Sequence, residues 1–383
     1  MNTNIKNKIL LIDLTATIPV YTAYINDALR RNGYESVISG INRTNGNISN
    51  SGLIISYTNI IDRSQYLRNG PLKNILKLLE YVCNWIHTLW IAPSYHAIHI
   101  QWLPMLRYGS MDLFFLKRLL SRNSNVIYEV HNILPHDHSS LKIQHRYGRL
   151  YNMVPKLIVH TVKTKQDLKA RFDIPISKMI LMPHGPLFDE WADDKPIADR
   201  NKKTLGMIGV IRPYKGVDDA IELLRKLLNK DEKFSLIIAG DGPAGYLKHL
   251  DELITSYKLE NNVKRIYRLL KEEEMIRLYK QCRLILAPYK DIEQSGAVIT
   301  ALTLGIPVAG YKVGGLPMLI EDDFNGKLVP KNDIDKLCDA VTYLLKKDPE
   351  MIHKNCRKSV EKYSWDKGVP ILKACYDEDA SIS

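Results

Sequence analysis

The sequence predicts an α/β protein with two domains, each built around a parallel β-sheet. Its length of 383 residues, 45% of them hydrophobic and 25% charged, suits two buried cores better than one. Short β-type runs alternate with helical segments along the whole chain, which is typical of parallel sheets joined by helices. The polar stretch 187–203 contains a proline and separates two such series, as a domain linker does.

The elements follow from hydrophobic periodicity and from the turn residues between the apolar runs. In the first half the predicted strands are Ile9–Leu14, Ala97–Gln101, Val126–Val130 and Leu157–Thr161. In the second half they are Thr204–Ile208, Phe234–Ala239, Val263–Tyr267, Leu284–Ala287 and Pro307–Ala309. The predicted helices are Thr22–Asn32, Leu72–Thr88, Met111–Arg122, Val217–Asn229, Gly245–Tyr257, Glu272–Gln281, Gly296–Leu304 and Ile334–Lys346.

These elements divide the chain into an N-terminal domain, residues 1–188, and a C-terminal domain, residues 189–365. The tail, residues 366–383, has a helical pattern interrupted by Gly368 and Pro370. We expect it to form a last helix that packs back on the N-terminal domain.

The net charge of +12 is confined to the first half of the chain. Residues 1–180 contain 22 lysines and arginines against 10 acidic residues, whereas residues 181–383 contain 32 of each. A one-sided positive field attracts anionic partners: nucleic acid, anionic lipid or a phosphate-bearing acceptor. Basic residues are not interleaved with aromatic ones as in a known nucleic-acid module, so nucleic acid is not the predicted partner.

Two segments could contact an anionic membrane surface. Residues 71–92 place apolar side chains at helical spacing with Trp85 and Trp90 among them, and residues 111–122 mix apolar and cationic side chains. The alternative is that both helices simply pack on the sheet. Residues 75–92 carry too many polar side chains for a membrane span, and the N-terminal apolar run predicts a strand and not a signal peptide. We therefore expect a cytoplasmic protein, peripheral on the inner face of the cell membrane.

The sequence predicts no metal site. The five cysteines are widely scattered without a CxxC pair, which excludes a disulfide framework and the usual zinc spacing. His131, His136 and His138 cluster after a strand, but their spacing does not predict an open metal site. His131 is the histidine that we expect at the catalytic centre.

The segment 205–224 predicts a strand, a loop and a helix. Gly209 allows a sharp turn after the strand, and Arg212 and Lys215 lie in the loop just before the helix. Two cations beside a helix N-terminus suit a diphosphate, because the free N–H groups and the helix dipole add to their charge. The alternative is a solvated basic loop.

A second strand–loop–helix lies at 282–317. Ser295 and Gly296 open an apolar helix, so the N–H groups of Gly296 and Ala297 would point toward a bound anion. Glu293 in the preceding loop can accept hydrogen bonds from ribose or sugar hydroxyls. The alternative is that Ser295 only caps the helix. Since ligands of open parallel sheets bind at the carboxyl ends of the strands, both loops are expected at one edge.

Five motifs in this order resemble family 4 (group 1) of the glycosyltransferases: GVIRPYKG, AGDGP, SGAVITALTLGIPVAG, VGGLP and NGKLVP, within residues 204–345. The N-terminal half resembles the family more weakly, through EVHNILPH, VHTVKTKQDL and MPHGP. The resemblance implies the GT-B fold, in which two Rossmann-like domains face a central cleft. It also implies that the second domain binds the donor nucleotide and that the configuration at the transferred carbon is retained.

The resemblance assigns roles to individual residues. Arg212 and Lys215 would hold the diphosphate, and His131 would face the donor sugar or its phosphate. The predicted nucleotide-binding and sugar-binding positions are Gly209, Leu269, Leu270, Glu293, Ser295, Gly296, Ala297 and Thr300.

Three departures from the family pattern stand out. Thr300 occupies the place of the family's second glutamate, normally a ribose ligand. Val210 stands where the arginine is often found, so Arg212 must act from a different point on the loop. The loop at 14–19 lacks the usual glycines and is expected to shape an acceptor pocket instead.

The sequence thus predicts a hexosyltransferase that moves a sugar from a nucleotide diphosphate sugar to a glycan or lipid-linked acceptor in surface polysaccharide biosynthesis. No cofactor or metal is expected. Two alternatives remain open: a nucleotide-sugar epimerase of the same fold, and a non-catalytic protein that binds nucleotides or nucleic acid. An epimerase needs paired carboxylates, and none is evident in the N-terminal half.

Overall fold

The computed structural model describes residues 7–41, 53, 55–59, 64, 70–135, 140–194, 203–230 and 233–377. By its internal contacts the chain divides into two compact units. The first comprises Met1–His184 and Trp365–Ser383, and the second Gly185–Ser364. His136 and His138 lie outside the described residues, as do residues 195–202 of the polar linker.

The first unit has a parallel sheet. Its strands are β1 (Lys8–Asp13), β2 (Glu35–Gly40), β3 (Tyr57–Thr58), β4 (Ala97–Ile100), β5 (Val126–Val130), β6 (Lys156–Val159) and β7 (Met179–Leu181). The order across the sheet is β3-β2-β1-β4-β5-β6-β7, and each described pair is parallel. Alternate residues of β1 enter two separate cores, Leu10 and Ile12 on one face and Ile9 and Leu11 on the other. The sheet is therefore buried on both faces, as parallel sheets are.

Helices cover both faces of this sheet. They are α1 (Pro19–Arg31), α2 (Pro71–Ile91), α3 (Met111–Leu120), α4 (Leu141–Met153), α5 (Val162–Phe172) and, from the far end of the chain, α13 (Trp365–Asp377). The C-terminal helix α13 packs against α1 and contributes Val369, Leu372 and Tyr376 to the core.

The second unit has its own parallel sheet. Its strands are β8 (Lys203–Ile208), β9 (Phe234–Ala239), β10 (Val263–Ile266), β11 (Leu284–Ala287), β12 (Val308–Tyr311) and β13 (Gly326–Val329), in the order β10-β9-β8-β11-β12-β13. The helices are α6 (Val217–Leu228), α7 (Ala244–Ser256), α8 (Glu272–Lys280), α9 (Gly296–Thr303), α10 (Leu316–Leu319), α11 (Ile334–Leu345) and α12 (Pro349–Glu361). The predicted α/β class with two parallel sheets is confirmed.

The strand order brings two loops of the second unit together. Strands β8 and β11 are neighbours and parallel, so the loops after them leave the same edge of the sheet. These loops contain Arg212 and Lys215 on one side and Glu293 and Ser295 on the other. Within the described part of the chain, the longest helices are too polar or too short to cross a lipid bilayer.

Candidate functional site

The loop after β8 is a tight turn made by two glycines. Gly209 has φ = 118° and donates its N–H group to Ala239 O, 2.9 Å away. Residues Pro213–Lys215 form a 3-10 turn, and Gly216, with φ = 67°, is the residue from which α6 begins. Both positive φ values favour glycine, because a side chain there would be strained. The turn places Lys215 directly before the N-terminus of α6.

This loop packs on the loop after β11. A methyl group at Gly216 would lie 2.1 Å from Pro288 O, so only glycine allows this approach. The Lys290 N–H group donates to Tyr214 O at 2.6 Å. These contacts fix the two loops against each other before any ligand is bound.

Helix α9 begins beside them. Its N-cap residue Ser295 accepts a hydrogen bond from Val298 N at 3.2 Å. The hydroxyl of Tyr279 donates to Ala297 O at 3.1 Å and to Ile208 O at 3.3 Å, which ties the first turn of α9 to the end of β8. The first N–H groups of a helix have no partner within it, so those of Gly296 and Ala297 are suited to an anion.

Three of the predicted site residues meet at one point. A methyl group at Gly209 would lie 3.9 Å from Lys215 Nζ and 3.9 Å from Ala297 Cβ. The ammonium group of one loop therefore lies beside the first turn of the helix that follows the other loop. The Lys215 ammonium group and the N-terminus of α9 meet beside Gly209, which has no side chain, and together they can hold a diphosphate.

Lys215 lies in a partly apolar setting. Its Nζ is 5.5 Å from the centroid of the Tyr289 ring. Burial and, to a smaller extent, the charge of Arg212 lower the pKa of Lys215 to about 8. Arg212 is half-buried and donates through Nη1 to Ile211 O at 2.8 Å. An anion bound beside Lys215 would replace the solvation that burial removes from its ammonium group.

The remaining predicted positions surround this point less closely. Glu293 is half-buried in the loop before Ser295. Leu269 is 83% exposed and Leu270 half-buried, both after β10, whereas Thr300 is buried within α9. The roles assigned to these residues stay predictions.

His131 lies in the first unit, directly after β5, and is buried. Its ring packs edge-on against Tyr21, with the centroids 4.9 Å apart, and 5.2 Å from the ring of His160. Ligand atoms of Glu129, His131 and His160 all lie within 4.8 Å of one another, a grouping that could hold a metal ion. Burial lowers the pKa of His131 to about 3, so the ring is neutral around pH 7.

Sequence reasoning singled out neither Glu129 nor His99 nor His160. All three are fully or almost fully buried and lie at or just beyond the carboxyl ends of β5, β4 and β6. Polar residues at the ends of three buried strands were a usable signal, because the carboxyl ends of parallel strands share one edge.

The first unit also has a cavity of about 720 Å³ beside α2. Its walls include Thr15 and Thr17 from the loop after β1, Lys77 and Leu78 from α2, and Tyr108. The loop at 14–19 therefore lines a cavity.

Helix α2 also exposes a row of apolar side chains, on the side of the helix away from this cavity. Leu72, Ile75, Leu79, Ile86 and Trp90 are each between 53% and 75% exposed. Their spacing of three, four, seven and four residues places them on one face of the helix. We call this row the α2 apolar face.

Comparison with known proteins identifies the second unit. Residues 189–363 match the family model described as glycosyl transferases group 1. The match spans nearly the whole of that unit.

Among curated proteins, the chain is 23% identical over 241 residues to D-inositol 3-phosphate glycosyltransferase of Corynebacterium aurimucosum, which covers 59% of this chain and 57% of that protein. It is 24% identical over 223 residues to GDP-mannose:glycolipid 4-beta-D-mannosyltransferase of Xanthomonas campestris pv. campestris, covering 58% of this chain and 60% of that one. The chain thus spans a little over half the length of these relatives.

Solved structures share the fold over almost the full length. HepE of Anabaena, in complex with UDP and glucose, has a TM-score of 0.69 at 18% identity and covers 96% of this chain and 97% of its own. Sucrose-phosphate synthase from Thermosynechococcus elongatus has a TM-score of 0.69 at 16% identity, covering 97% and 98%.

Proposed function

We propose, from the match of residues 189–363 to the group 1 glycosyl transferases, that the chain transfers a sugar from a nucleoside diphosphate sugar to an acceptor. The observation that carries this proposal is the meeting of Gly209, Lys215 and Ala297 at the edge of the second sheet. HepE, which shares the fold, was solved with UDP and with UDP-glucose, and this supports a nucleotide donor here.

The chemistry follows from the charge that develops during transfer. The acceptor oxygen forms a bond to the anomeric carbon, the bond to the diphosphate breaks, and the nucleoside diphosphate leaves with an additional negative charge. Lys215, Arg212 and the first N–H groups of α9 are placed to stabilise that charge. Pre-arranged donors of this kind are often the largest single contribution to catalysis. We propose that they make a metal ion unnecessary.

His131 serves in this proposal as a neutral hydrogen-bonding group toward the transferred sugar. Its lowered pKa argues against a role as a cation that pairs with phosphate. We further propose that the configuration at the anomeric carbon is retained. Proton NMR of freshly formed product distinguishes the two anomers, and an inverted product would contradict retention.

For the acceptor we propose a lipid-linked or phosphate-bearing glycan of surface polysaccharide biosynthesis. Two relatives are named for an inositol phosphate and for a glycolipid. The cavity beside α2 combines threonine hydroxyls with Lys77, which suits a polar, anionic head group.

The exposed side of helices α2 and α3 supports binding to the inner face of the cell membrane. The α2 apolar face is exposed, and Arg118 of α3 stacks 3.5 Å over the ring of Phe114, which is half exposed. Helices α2 and α3 pack together, with Trp85 stacked on Phe115 at 5.3 Å. Apolar side chains beside cations favour an anionic lipid surface.

A titration panel tests the donor assignment. Calorimetry with UDP, GDP, ADP and a single-stranded oligonucleotide is expected to show binding of one nucleoside diphosphate and none of the oligonucleotide. The matching nucleotide sugar is expected to be slowly hydrolysed or transferred. Oligonucleotide binding without binding of any nucleoside diphosphate would refute the proposal in favour of a nucleic-acid-binding protein.

A further inference from the structure

Glu129 is a fully buried carboxylate surrounded by donors. Its Oε1 accepts a hydrogen bond from the hydroxyl of Tyr21. His99 Nε2 lies 3.0 Å from Oε2, and His160 Nε2 lies 3.2 Å from Oε1. Burial by itself raises the pKa of Glu129, but the hydrogen bond from His99 and the charges of three histidines outweigh burial and lower the pKa below its ordinary value. Glu129 is thus held as a carboxylate by side chains of α1, β4 and the residue after β6.

The partners of His99 fix its tautomer. Its Nε2 lies beside a carboxylate oxygen, which favours a proton on Nε2. Its Nδ1 lies 2.9 Å from the hydroxyl of Tyr376, which donates to Nδ1 when the ring is the Nε2–H tautomer. Tyr376 is therefore linked to Glu129 through the His99 ring.

Both nitrogens of His160 face acceptors. Nδ1 lies 2.8 Å from Met182 O, and a carbonyl oxygen only accepts, so Nδ1 carries a proton. Nε2 lies beside Glu129 Oε1, and a lone pair there would face a carboxylate. Burial lowers the pKa of His160 below its ordinary value, although Glu129 and the Met182 carbonyl act in the opposite direction. Because a bare Nε2 would face the carboxylate, we expect one more proton between His160 Nε2 and Glu129 Oε1, which makes the pair neutral in total.

His131 is held by the two rings that Glu129 fixes. It packs against Tyr21 on one side and His160 on another, with Trp102 at 6.0 Å. We propose that Glu129 is a positioning residue that orients His131 through Tyr21 and His160, and that Tyr376 of α13 completes this arrangement through His99. The proposal rests on the role proposed above for His131.

Two hydrogen bonds hold the C-terminal helix α13 beside this cluster. Asn125 Nδ2 donates to Tyr376 O at 2.7 Å, and the ammonium of the buried Lys156 donates to Cys375 O at 2.5 Å. Both anchors lie on strands of the first sheet or next to them. The last helix of the chain thereby supplies a hydroxyl to a cluster built from residues more than 200 positions earlier.

Further groups face the cluster from the packed elements. His184 lies 4.5 Å from the Tyr21 ring and 6.0 Å from that of His160, and Trp365 of α13 lies 5.3 Å from Tyr21. His184 therefore faces the Glu129 cluster together with the histidines already named.

Histidine nitrogen NMR on the unaltered protein tests the arrangement directly. In protein labelled with nitrogen-15 histidine, we expect His99 as the neutral Nε2–H tautomer, His160 protonated on Nδ1 with a second proton at or near Nε2, and His131 neutral at pH 7. A neutral His160 with a bare Nε2, or a His99 protonated on Nδ1, would overturn the proposal. This measurement needs no enzyme activity, so it separates failure of this inference from failure of the proposed function.

Two variants test the consequence for catalysis. Glu129→Gln places an amide where three donors converge, and misplacement of a catalytic group by about 1 Å costs roughly 10²-fold in rate. We expect kcat to fall by about that factor while KM for the donor changes less than about twofold. Tyr376→Phe removes only the outermost hydroxyl and is expected to keep the fold and to lower kcat by roughly threefold.

Tyr128→Phe is the matched control, since Tyr128 is buried in the same strand but belongs to the core on the opposite face. It is expected to change neither kcat nor the histidine spectrum. Wild-type kcat in a folded Glu129→Gln protein contradicts the positioning role. So does stoichiometric zinc in elemental analysis, because a metal on Glu129, His131 and His160 would replace the shared proton.

Discussion

The two units of this protein place their charged and polar groups in different ways. In the second unit, cations and free N–H groups lie in two short loops at the edge of the sheet, around Gly209 and Lys215. In the first unit, the acid and the histidines are buried at the ends of β4, β5 and β6, and the exposed surface is apolar and basic. In the proposed function, the loops of the second unit bind the diphosphate, and the buried groups of the first unit orient His131.

The largest expected effect tests the second unit. Lys215→Ala removes the charge beside the first turn of α9 and is expected to lower kcat by roughly 10²–10³-fold with the fold intact. Steady-state kinetics measures kcat, and a circular dichroism spectrum shows whether the fold is intact. Lys226→Ala is the control, because Lys226 pairs with Asp335 elsewhere in the unit and its loss should leave kcat within about twofold. Near-normal turnover of Lys215→Ala would remove the proposed diphosphate site.

The next effect tests the first unit. Leu72→Gln, Ile75→Gln and Leu79→Gln together are expected to weaken partition onto anionic vesicles at low salt by at least about tenfold, because each buried aliphatic side chain contributes roughly 1.5–3 kcal/mol. Vesicle co-sedimentation measures this. Ile176→Gln changes an exposed isoleucine in the same unit outside the α2 apolar face and serves as control. Unchanged partition of the triple variant, or no wild-type binding at all, contradicts a membrane role for this face.

The pH dependence of nucleotide binding tests the role of Lys215. Its lowered pKa of about 8 means that the ammonium is charged below pH 8 and loses its proton as the pH rises through that value. Binding of the nucleoside diphosphate is therefore expected to weaken by about fivefold between pH 8 and pH 9, and by about tenfold per pH unit above that. Calorimetry between pH 6.5 and 9.5 measures it. Lys215→Arg stays charged and should flatten this dependence; an equally steep curve in that variant would assign it to another group.

The smallest effect separates capping from ligand binding at α9. Ser295→Ala loses the hydrogen bond to Val298 N and is expected to lower the free energy of unfolding by about 1 kcal/mol. Asp333→Ala removes the cap of α11, where Asp333 accepts from Lys336 N, and should cost a similar amount. Urea unfolding measures both. Only Ser295→Ala is expected to weaken nucleotide binding as well, and equal affinities in the two variants would reduce Ser295 to a cap.

The fold of the second unit was predictable because its signals are local. Gly209 and Gly216 mark the turn after β8, and an apolar run marks each of the strands β8 to β12. The first unit offered fewer such signals. β2, α4 and α5 were not predicted, because β2 buries two serines among its few apolar residues, and because α4 and α5 are mostly polar, with only four and two buried residues.

The site residues also fall into those that were predicted, in the second unit, and those that were missed, in the first. Arg212, Lys215 and Gly296 were predicted from a loop and the helix that follows it, where a few consecutive residues determine the geometry. Glu129 and His160 were missed, because their importance depends on Tyr21, which lies 108 residues before Glu129. The polar residues at the ends of these strands indicated a shared edge of the sheet, but the contact with Tyr21 joins residues far apart in the chain and has no local pattern.

By itself, the sequence determined the parallel α/β class, the concentration of positive charge in the first half and the cation–glycine loop after β8, since each depends on composition or on neighbouring residues. Only the tertiary structure decided that Lys215 lies beside Ala297, that Glu129 gathers two histidines and a tyrosine, and that Tyr376 of the last helix bonds to His99. The physical reason is that these arrangements depend on the order of strands and on burial, which join residues far apart in the chain.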